Sequence, residues 1–245
     1  MRIAERSPLC RGERGARVIA RWGWVALRYA VAMAAAWYLI NQVRKPSRWV
    51  GRPFLWMMNA SHSGLTDWGL RHIQIENHAR ILDVGCGGGR TIEKLAAAAP
   101  AGTVDGIDYA EGSVAASRAR NASLVAARRV AVQKATVSKL PFAENTFDLV
   151  TAVETQYYWP DLPGDMREIL RVLKPGGTLM VIAESYRGGS TEIVQRPVMK
   201  LLQSSILSVE DQRKLFTEAG YSGVEIFAER AHGWICAVGR KRAAG

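Results

Sequence analysis

An apolar run that stops abruptly in a cluster of glycines is the feature that most constrains the fold of this chain. The segment ILDVGCGGGR covers residues 81–90, and its apolar half predicts a buried strand. Glycines let the backbone turn tightly and approach a ligand closely. A helix is expected to open near Arg90, and its free N–H groups would suit a carboxylate as well as a phosphate. The segment therefore predicts a ligand site where the strand ends.

Apolar runs and helical stretches alternate along the chain from residue 64 onward. Strands are predicted at residues 79–84, 103–108, 130–136, 146–153, 178–183, 224–228 and 234–238, and helices at 64–77, 91–99, 111–121, 162–173 and 208–219. Such alternation is typical of a doubly wound sheet, which binds ligands at the carboxyl ends of its strands. We predict the α/β class, with a mainly parallel, seven-stranded sheet in residues 61–245 and a helical extension at residues 1–60.

The basic charge of the chain is concentrated in this N-terminal extension. Eleven of the 33 Lys and Arg residues lie in residues 1–52, with only two of the 22 acidic residues, so most of the net charge of +11 belongs to this arm. Five of the eight Trp residues lie in residues 1–56. Because the remaining body is near neutral, it lacks a basic face for a phosphate backbone, and no nucleic-acid partner is expected.

Residues 22–40 form an apolar stretch that is interrupted only by Arg28. The length suits a spanning helix, but an arginine in mid-span costs about 2.5–3.5 kcal/mol. Arg17, Arg21 and Arg28 share one helical face, which favours a helix lying on an anionic membrane surface. A helix buried against the domain, or a lid over its pocket, is the other open interpretation. The sequence after Ile40 lacks the small-residue cleavage site of a signal peptide.

The cysteines indicate a reducing compartment. Cys10, Cys86 and Cys236 are an odd set with long spacings and no CxxC pair, so they provide neither a disulfide framework nor a zinc site. We expect a cytoplasmic protein without a metal site, associated with the membrane through residues 22–40 if that stretch binds lipid. The sequence leaves the oligomeric state open.

Two carboxylates distinguish the predicted ligand site from a dinucleotide site. A GxGxxG fingerprint read from Gly85 would end at position 90, which is Arg90. Asp83 would repel a pyrophosphate but attract an amino group. Asp108 ends the second predicted strand, where an acid accepts hydrogen bonds from ribose hydroxyls. Asp105 competes for that role, but an acid at a strand start is usually just solvated.

Four segments in register resemble the class I S-adenosylmethionine-dependent methyltransferases. They read LDVGCGGG, GIDYAEGSVAASR, LPFAENTFDLV and REILRVLKPGGTL, and the resemblance covers roughly residues 60–240. The most similar subgroup is the small-molecule branch with a methyltransferase-11-type core. The resemblance implies a Rossmann-like methyltransferase fold and S-adenosyl-L-methionine as the cofactor.

The resemblance also implies roles for individual residues. The glycine loop and Asp83 would hold the methionine portion of the cofactor, Asp108 the ribose, and Tyr109 would lie beside the adenine. The family usually has an acid near the adenine amino group, and here Thr136 stands at that place, which is a departure. The implied cofactor-binding residues are Asp83, Gly85, Cys86, Gly87, Gly89, Asp108, Tyr109, Thr136, Val137 and Glu154.

The implied reaction is in-line displacement at the sulfonium methyl, with a small, apolar or aromatic acceptor. The segment ETQYYWPD at residues 154–161 is rich in aromatics for a loop, which suits such a molecule. The expected substrate residues are Tyr157, Tyr158, Trp159 and Tyr186. No general base is assigned: His62, Tyr157 and Tyr158 are candidates, whereas His72 and His78 are expected to be solvated helix positions.

Two other functions stay open at this point. An RNA methyltransferase could use the basic arm, although the amino-methylating type carries an Asn/Asp-Pro-Pro-aromatic motif where this chain reads ETQYYWPD. A non-catalytic cofactor-binding scaffold is the second alternative, against which the intact Asp83, glycine loop and Asp108 argue.

Overall fold

The protein is described by a computed structural model that covers residues 63–190, residue 192 and residues 206–243. Seven strands form one sheet in this part of the chain: β1 (Arg80–Val84), β2 (Thr103–Asp108), β3 (Val130–Lys134), β4 (Phe147–Val153), β5 (Leu173–Ala183), β6 (Ser222–Glu229) and β7 (Trp234–Arg240). Their spatial order is β3-β2-β1-β4-β5-β7-β6. The first five strands, β1 to β5, pair in parallel, whereas β7 runs antiparallel to β5 and β6. The predicted mainly parallel, seven-stranded sheet is confirmed.

Helices cover both faces of the sheet and create two cores. The described helices are α1 (Ser63–Leu70), α2 (Arg90–Ala98), α3 (Glu111–Arg120), α4 (Ala122–Ala126), α5 (Leu162–Val172) and α6 (Val209–Glu218), with a 3₁₀ turn at Gln156–Tyr158. Successive strand residues point to opposite faces, so Ile81 packs on the side of α1 to α3 and Leu82 on the side of α5 and α6. Both residues are fully buried, which explains why the strands read as continuous apolar runs.

The helix predicted at residues 64–77 is shorter than expected. It ends at Leu70, and the backbone N–H of His72 donates to the carbonyl of Gly69 in a tight turn. The His72 ring stacks on Phe227 with centroids 4.0 Å apart and meets Trp68 edge-on. Burial lowers the pKa of His72. The prediction that His72 is a solvated helix position is therefore wrong, because the residue lies in a turn and its half-buried ring packs against two aromatic rings.

The fifth strand also begins earlier than predicted, at Leu173 instead of residue 178. Its first residues continue the sheet because Gly176 and Gly177 exchange backbone hydrogen bonds with Lys241. The register against β4 shifts between Phe147 and Leu149, so the glycines are accommodated as an irregularity within the strand.

Several predictions concern residues outside the described part of the chain. They are the helical extension at residues 1–60, the apolar stretch at 22–40, Cys10 and His62. Within the described residues, no helix has the length and apolar character needed to cross a membrane.

Candidate functional site

The glycine loop lies at the carboxyl edge of the sheet, between the ends of β1 and β2. Because Val84 is paired with Ile107, the two strands end side by side. The N–H groups of Gly85 and Cys86 both donate to the carbonyl of Ile107, at 2.8 and 2.9 Å. The N–H of Gly87 donates to Oδ2 of Asp108 at 3.0 Å. These bonds fold the loop over the tip of β2 and bring the two predicted carboxylates to the same edge.

Asp83 is a buried carboxylate with one unpaired oxygen. It is 1% exposed, and its Oδ1 accepts a hydrogen bond of 2.8 Å from the hydroxyl of Thr151 on β4. Its Oδ2 has no partner among the described residues. Burial raises the pKa of Asp83 to about 7, and the charge of Asp108 adds to the rise while the Thr151 hydroxyl opposes it. A donor with positive charge would satisfy Oδ2 and favour ionisation of the carboxyl.

Each carboxylate oxygen of Asp108 accepts a hydrogen bond from a backbone N–H group nearby. Oδ2 accepts from Gly87, and Oδ1 accepts from the N–H of Ala110 at 2.8 Å. Burial raises the pKa of Asp108, and the two N–H groups and the Ser113 hydroxyl limit that rise. A carboxylate oxygen accepts more than one hydrogen bond, so both oxygens keep capacity for ligand hydroxyls.

Two glycines of the loop pack tightly against the protein, and a third faces open space. A Cβ at Gly85, whose φ is +73°, would lie 2.4 Å from Cγ2 of Thr155. A Cβ at Gly89 would lie equally close to Oγ of Ser117. At Gly87, by contrast, nothing lies within 4 Å of that position. The loop therefore leaves free space on one side, at Gly87, which fits an amino-acid moiety held beside Asp83.

The loop depends on side chains that the sequence analysis did not identify. Asn121, at the end of α3, is 2% exposed and donates from Nδ2 to the carbonyl of Gly89 at 2.9 Å. Ser117, one helical turn earlier, contacts Sγ of Cys86 through its hydroxyl at 3.9 Å. The one available signal was two polar residues spaced i, i+4 on a helix face that packs against a sheet.

The residues predicted around the adenine lie along the edge from β2 to β3. Tyr109 follows Asp108 and is 40% exposed. The N–H of Ala135 donates to the carbonyl of Asp108, which places Thr136 one residue beyond the tip of β2. Thr136 is exposed, whereas the side chain of Val137 packs in the core beneath α5. The structure thus assembles these residues beside Asp108, and their contacts with adenine stay a prediction.

The segment after β4 forms the other wall of the site. Glu154 has a φ of +59°, and its Oε1 accepts hydrogen bonds from the backbone N–H of Glu184 and from the hydroxyl of Tyr157. Tyr157 and Tyr186 are buried together in a small cluster, and Tyr158 and Trp159 are half-buried.

Burial raises the pKa of the Tyr157 phenol well above its usual range, and the nearby Glu154 carboxylate adds to that rise. A phenol held protonated in this way is a poor general base. In the described residues no three His, Cys, Asp or Glu side chains gather as metal ligands.

Comparison with known proteins finds sequence similarity to methyltransferases. Residues 82–181 match a family model described as a methyltransferase domain. Methyltransferase GfsG of Streptomyces halstedii is 31% identical over 151 residues, which are 60% of this chain and 54% of the relative. Demethylmenaquinone methyltransferase of Symbiobacterium thermophilum is 39% identical over 106 residues, 43% of this chain and 42% of the relative. The chain therefore spans about half the length of these relatives.

Solved structures share the fold at low sequence identity. A chain from the complex between the Trm112 methyltransferase activator of Haloferax volcanii and its methyltransferase partner superimposes with a TM-score of 0.70 at 21% identity, covering 79% of this chain and 96% of that one. Geranyl diphosphate C-methyltransferase of Streptomyces coelicolor, solved with S-adenosyl-L-homocysteine, gives a TM-score of 0.62 at 15% identity, with 74% and 79% coverage. These similarities establish the architecture alone.

Proposed function

We propose that this chain methylates a small molecule with S-adenosyl-L-methionine as its cofactor, which the match of residues 82–181 to a methyltransferase-domain model supports. The observation that carries the proposal is the unpaired, buried Oδ2 of Asp83 beside the open face of the glycine loop. When bound, the cofactor supplies an activated sulfonium methyl group, which is transferred by in-line displacement. The chain itself must bind and orient the cofactor and the acceptor and exclude water from the site.

The cofactor's polar groups match the polar groups at the carboxyl edge. Oδ2 of Asp83 would accept from the amino group, and Asp108 would accept from the ribose hydroxyls. The first turn of α2 has no side-chain cap, and its N–H groups would receive the carboxylate. Tyr109, whose ring is exposed next to Asp108, would stack on the adenine.

The acceptor is proposed to be apolar or aromatic. Half-buried Tyr158 and Trp159 supply aromatic surface on the wall after β4, and such surface holds flat, apolar molecules. Two similar proteins, a demethylmenaquinone methyltransferase and a geranyl diphosphate C-methyltransferase, are named for acceptors that carry apolar hydrocarbon groups, which supports this choice.

Calorimetric titration with S-adenosyl-L-methionine tests the cofactor site. Asp108→Ala should weaken binding more than about tenfold, since a buried carboxylate that accepts several hydrogen bonds is lost. Asp105→Asn is the matched control on the same strand: Asp105 pairs with Arg80 and should leave affinity unchanged. No heat of binding with the wild type would favour the non-catalytic scaffold. Equal affinity of the wild type and Asp108→Ala would reject the ribose assignment.

The acceptor is to be sought by methyl transfer from labelled cofactor into extracts. Lipid-phase and aqueous metabolite fractions are assayed side by side, with total RNA as a third substrate. Label in the lipid phase supports an apolar acceptor, and label in RNA would favour the alternative in which the basic arm binds nucleic acid.

We also propose that residues 22–40 lie on an anionic membrane surface, which their apolar and basic sequence supports.

A further inference from the structure

One side chain joins the two walls of the proposed site. Thr155 follows Glu154 at the end of β4, and its hydroxyl donates to the carbonyl of Val84 at 3.2 Å. Its methyl carbon Cγ2 packs directly against Gly85, where a Cβ would approach to 2.4 Å. Thr155 therefore touches the last residue of β1 and the first residue of the glycine loop at once.

The position of Thr155 depends in turn on Glu154 and Tyr157. Glu154 adopts the left-handed region, which strains a non-glycine residue unless its surroundings hold it. The two residues after β5 hold it in place: the N–H of Glu184 donates to the Glu154 carboxylate, and the N–H of Ser185 donates to the Tyr157 hydroxyl at 3.2 Å. The Tyr157 hydroxyl also lies 3.4 Å from Oε1 of Glu154.

These contacts form an unbroken path from the acceptor wall to the cofactor loop. It runs from the Tyr157 hydroxyl through the Glu154 carboxylate and the strained backbone to Thr155, and from there to Gly85. We propose that Thr155 is a positioning residue that couples the acceptor wall to the glycine loop, so that the state of the acceptor wall changes cofactor affinity. This inference rests on the proposed function in one respect, namely that the loop binds the cofactor.

The coupling has a direct consequence for how the acceptor and the cofactor bind. An acceptor that displaces Tyr158 would move the ring of Tyr157, which Tyr158 meets edge-on, and so shift Glu154. Thr155 would carry that shift to the loop. Binding free energies are reciprocal, so the cofactor would change acceptor affinity by the same factor. The two ligands would therefore bind cooperatively although they contact different strands.

A double-mutant cycle tests the coupling. Tyr157→Phe removes the hydroxyl and keeps the buried ring, and Thr155→Ser removes the methyl group that touches Gly85 while keeping the hydroxyl. Each variant should lower affinity for S-adenosylhomocysteine at least about threefold, and the double variant should lose clearly less than the product of the two factors. Tyr221→Phe is the matched control, because the Tyr221 hydroxyl donates to Met166 away from the loop. Its effect should be the same with Thr155 or Ser at position 155.

Hydrogen exchange of the ligand-free protein provides a second readout that does not need the cofactor. Tyr157→Phe should accelerate amide exchange at residues 85–89 in the wild-type background and no longer do so in the Thr155→Ser background. Glu154→Gln repeats the test if Tyr157→Phe unfolds. Multiplicative affinity losses together with unchanged exchange would overturn the coupling. A wild type that binds no cofactor but shows coupled exchange would overturn the proposed function and leave the coupling supported.

Discussion

Asp83→Asn is predicted to change protein stability in a strongly pH-dependent way. The asparagine has the same size, and its side-chain oxygen still accepts from the Thr151 hydroxyl. The variant removes the ionisable group whose pKa burial raises from 3.8 to about 7. Because the folded protein binds this proton more tightly than the unfolded chain, the Asp83 carboxyl stabilises the fold fully below pH 3.8. That contribution is lost as the pH rises through about 7.

The magnitude follows from the size of the pKa shift. A rise of roughly three units corresponds to about 4 kcal/mol, since one unit is worth about 1.4 kcal/mol. Between pH 5 and pH 8 about 3 kcal/mol of this is expressed, because the unfolded carboxyl is already ionised at pH 5. The new amide nitrogen would occupy the place of the unpaired Oδ2, which costs about 1–3 kcal/mol at every pH. The pH-dependent part of the stability difference therefore dominates, and the stability of the variant relative to the wild type should increase as the pH rises.

Urea denaturation of both proteins at pH 5, 6, 7 and 8 measures this difference. The free energy of unfolding of Asp83→Asn, relative to the wild type, should increase by about 3 kcal/mol over the range. Glu76→Gln, an exposed acid on the loop before β1, is the control and should keep a constant difference. A constant difference for Asp83→Asn, or one that falls with pH, would refute the reasoning that burial opposes ionisation.

The same variant should also lose most of the pH dependence of cofactor binding. The amino group of S-adenosyl-L-methionine is cationic and binds the ionised carboxyl. Wild-type affinity should therefore fall about tenfold from pH 8 to pH 6, as Asp83 takes up its proton near pH 7. Asp83→Asn should bind more weakly at pH 8 and show a flatter pH profile. Calorimetry at both pH values gives the comparison.

Three further predictions concern the loop and the arm. Gly85→Ala should lower the free energy of unfolding by more than about 1 kcal/mol, because the residue has a positive φ and its Cβ would clash with Thr155. Urea denaturation measures the loss, and Gly176→Ala is the control, since Gly176 also has a positive φ but has open space around its Cβ position. Asn121→Ala should weaken S-adenosyl-L-methionine binding and lower stability by about 1–3 kcal/mol, since the carbonyl of Gly89 loses a buried donor; calorimetry and denaturation measure both. Deleting residues 1–43 should abolish sedimentation with anionic vesicles while cofactor affinity is retained, and full-length protein that ignores such vesicles would contradict the membrane proposal.

The sequence predicted those parts of the fold that depend on local pattern. The buried strand, the glycine turn and the helix after it are encoded within ten residues, so β1 and α2 lie where they were expected. Asp83 and Asp108 meet because parallel strands in register bring their carboxyl ends together, a general property of doubly wound sheets.

The parts that sequence reasoning missed depend on contacts between distant segments. The hydrogen bond from Asn121 to Gly89 spans 32 residues, and the one from Thr151 to Asp83 spans 68. Neither partner has a local sequence signature. The helix boundary at Leu70 was missed for the same reason, since His72 leaves the helix to stack on Phe227, more than 150 residues away in the chain.

The strain at Glu154 differs from that of the other non-glycine residues with a positive φ in the described part. Arg128 and Asn145 also have positive φ, but both lie in exposed turns, where this conformation is common. Glu154 instead lies directly after the central strand β4, where its N–H donates to the carbonyl of Ile182 on β5 and its carboxylate accepts from the N–H of Glu184. Strained backbone conformations are concentrated at ligand-binding sites. Ligand binding can offset the free energy that such strain costs the folded protein. The carboxyl ends of β1 and β4 are thus the part of this sheet whose stability should depend most on the cofactor.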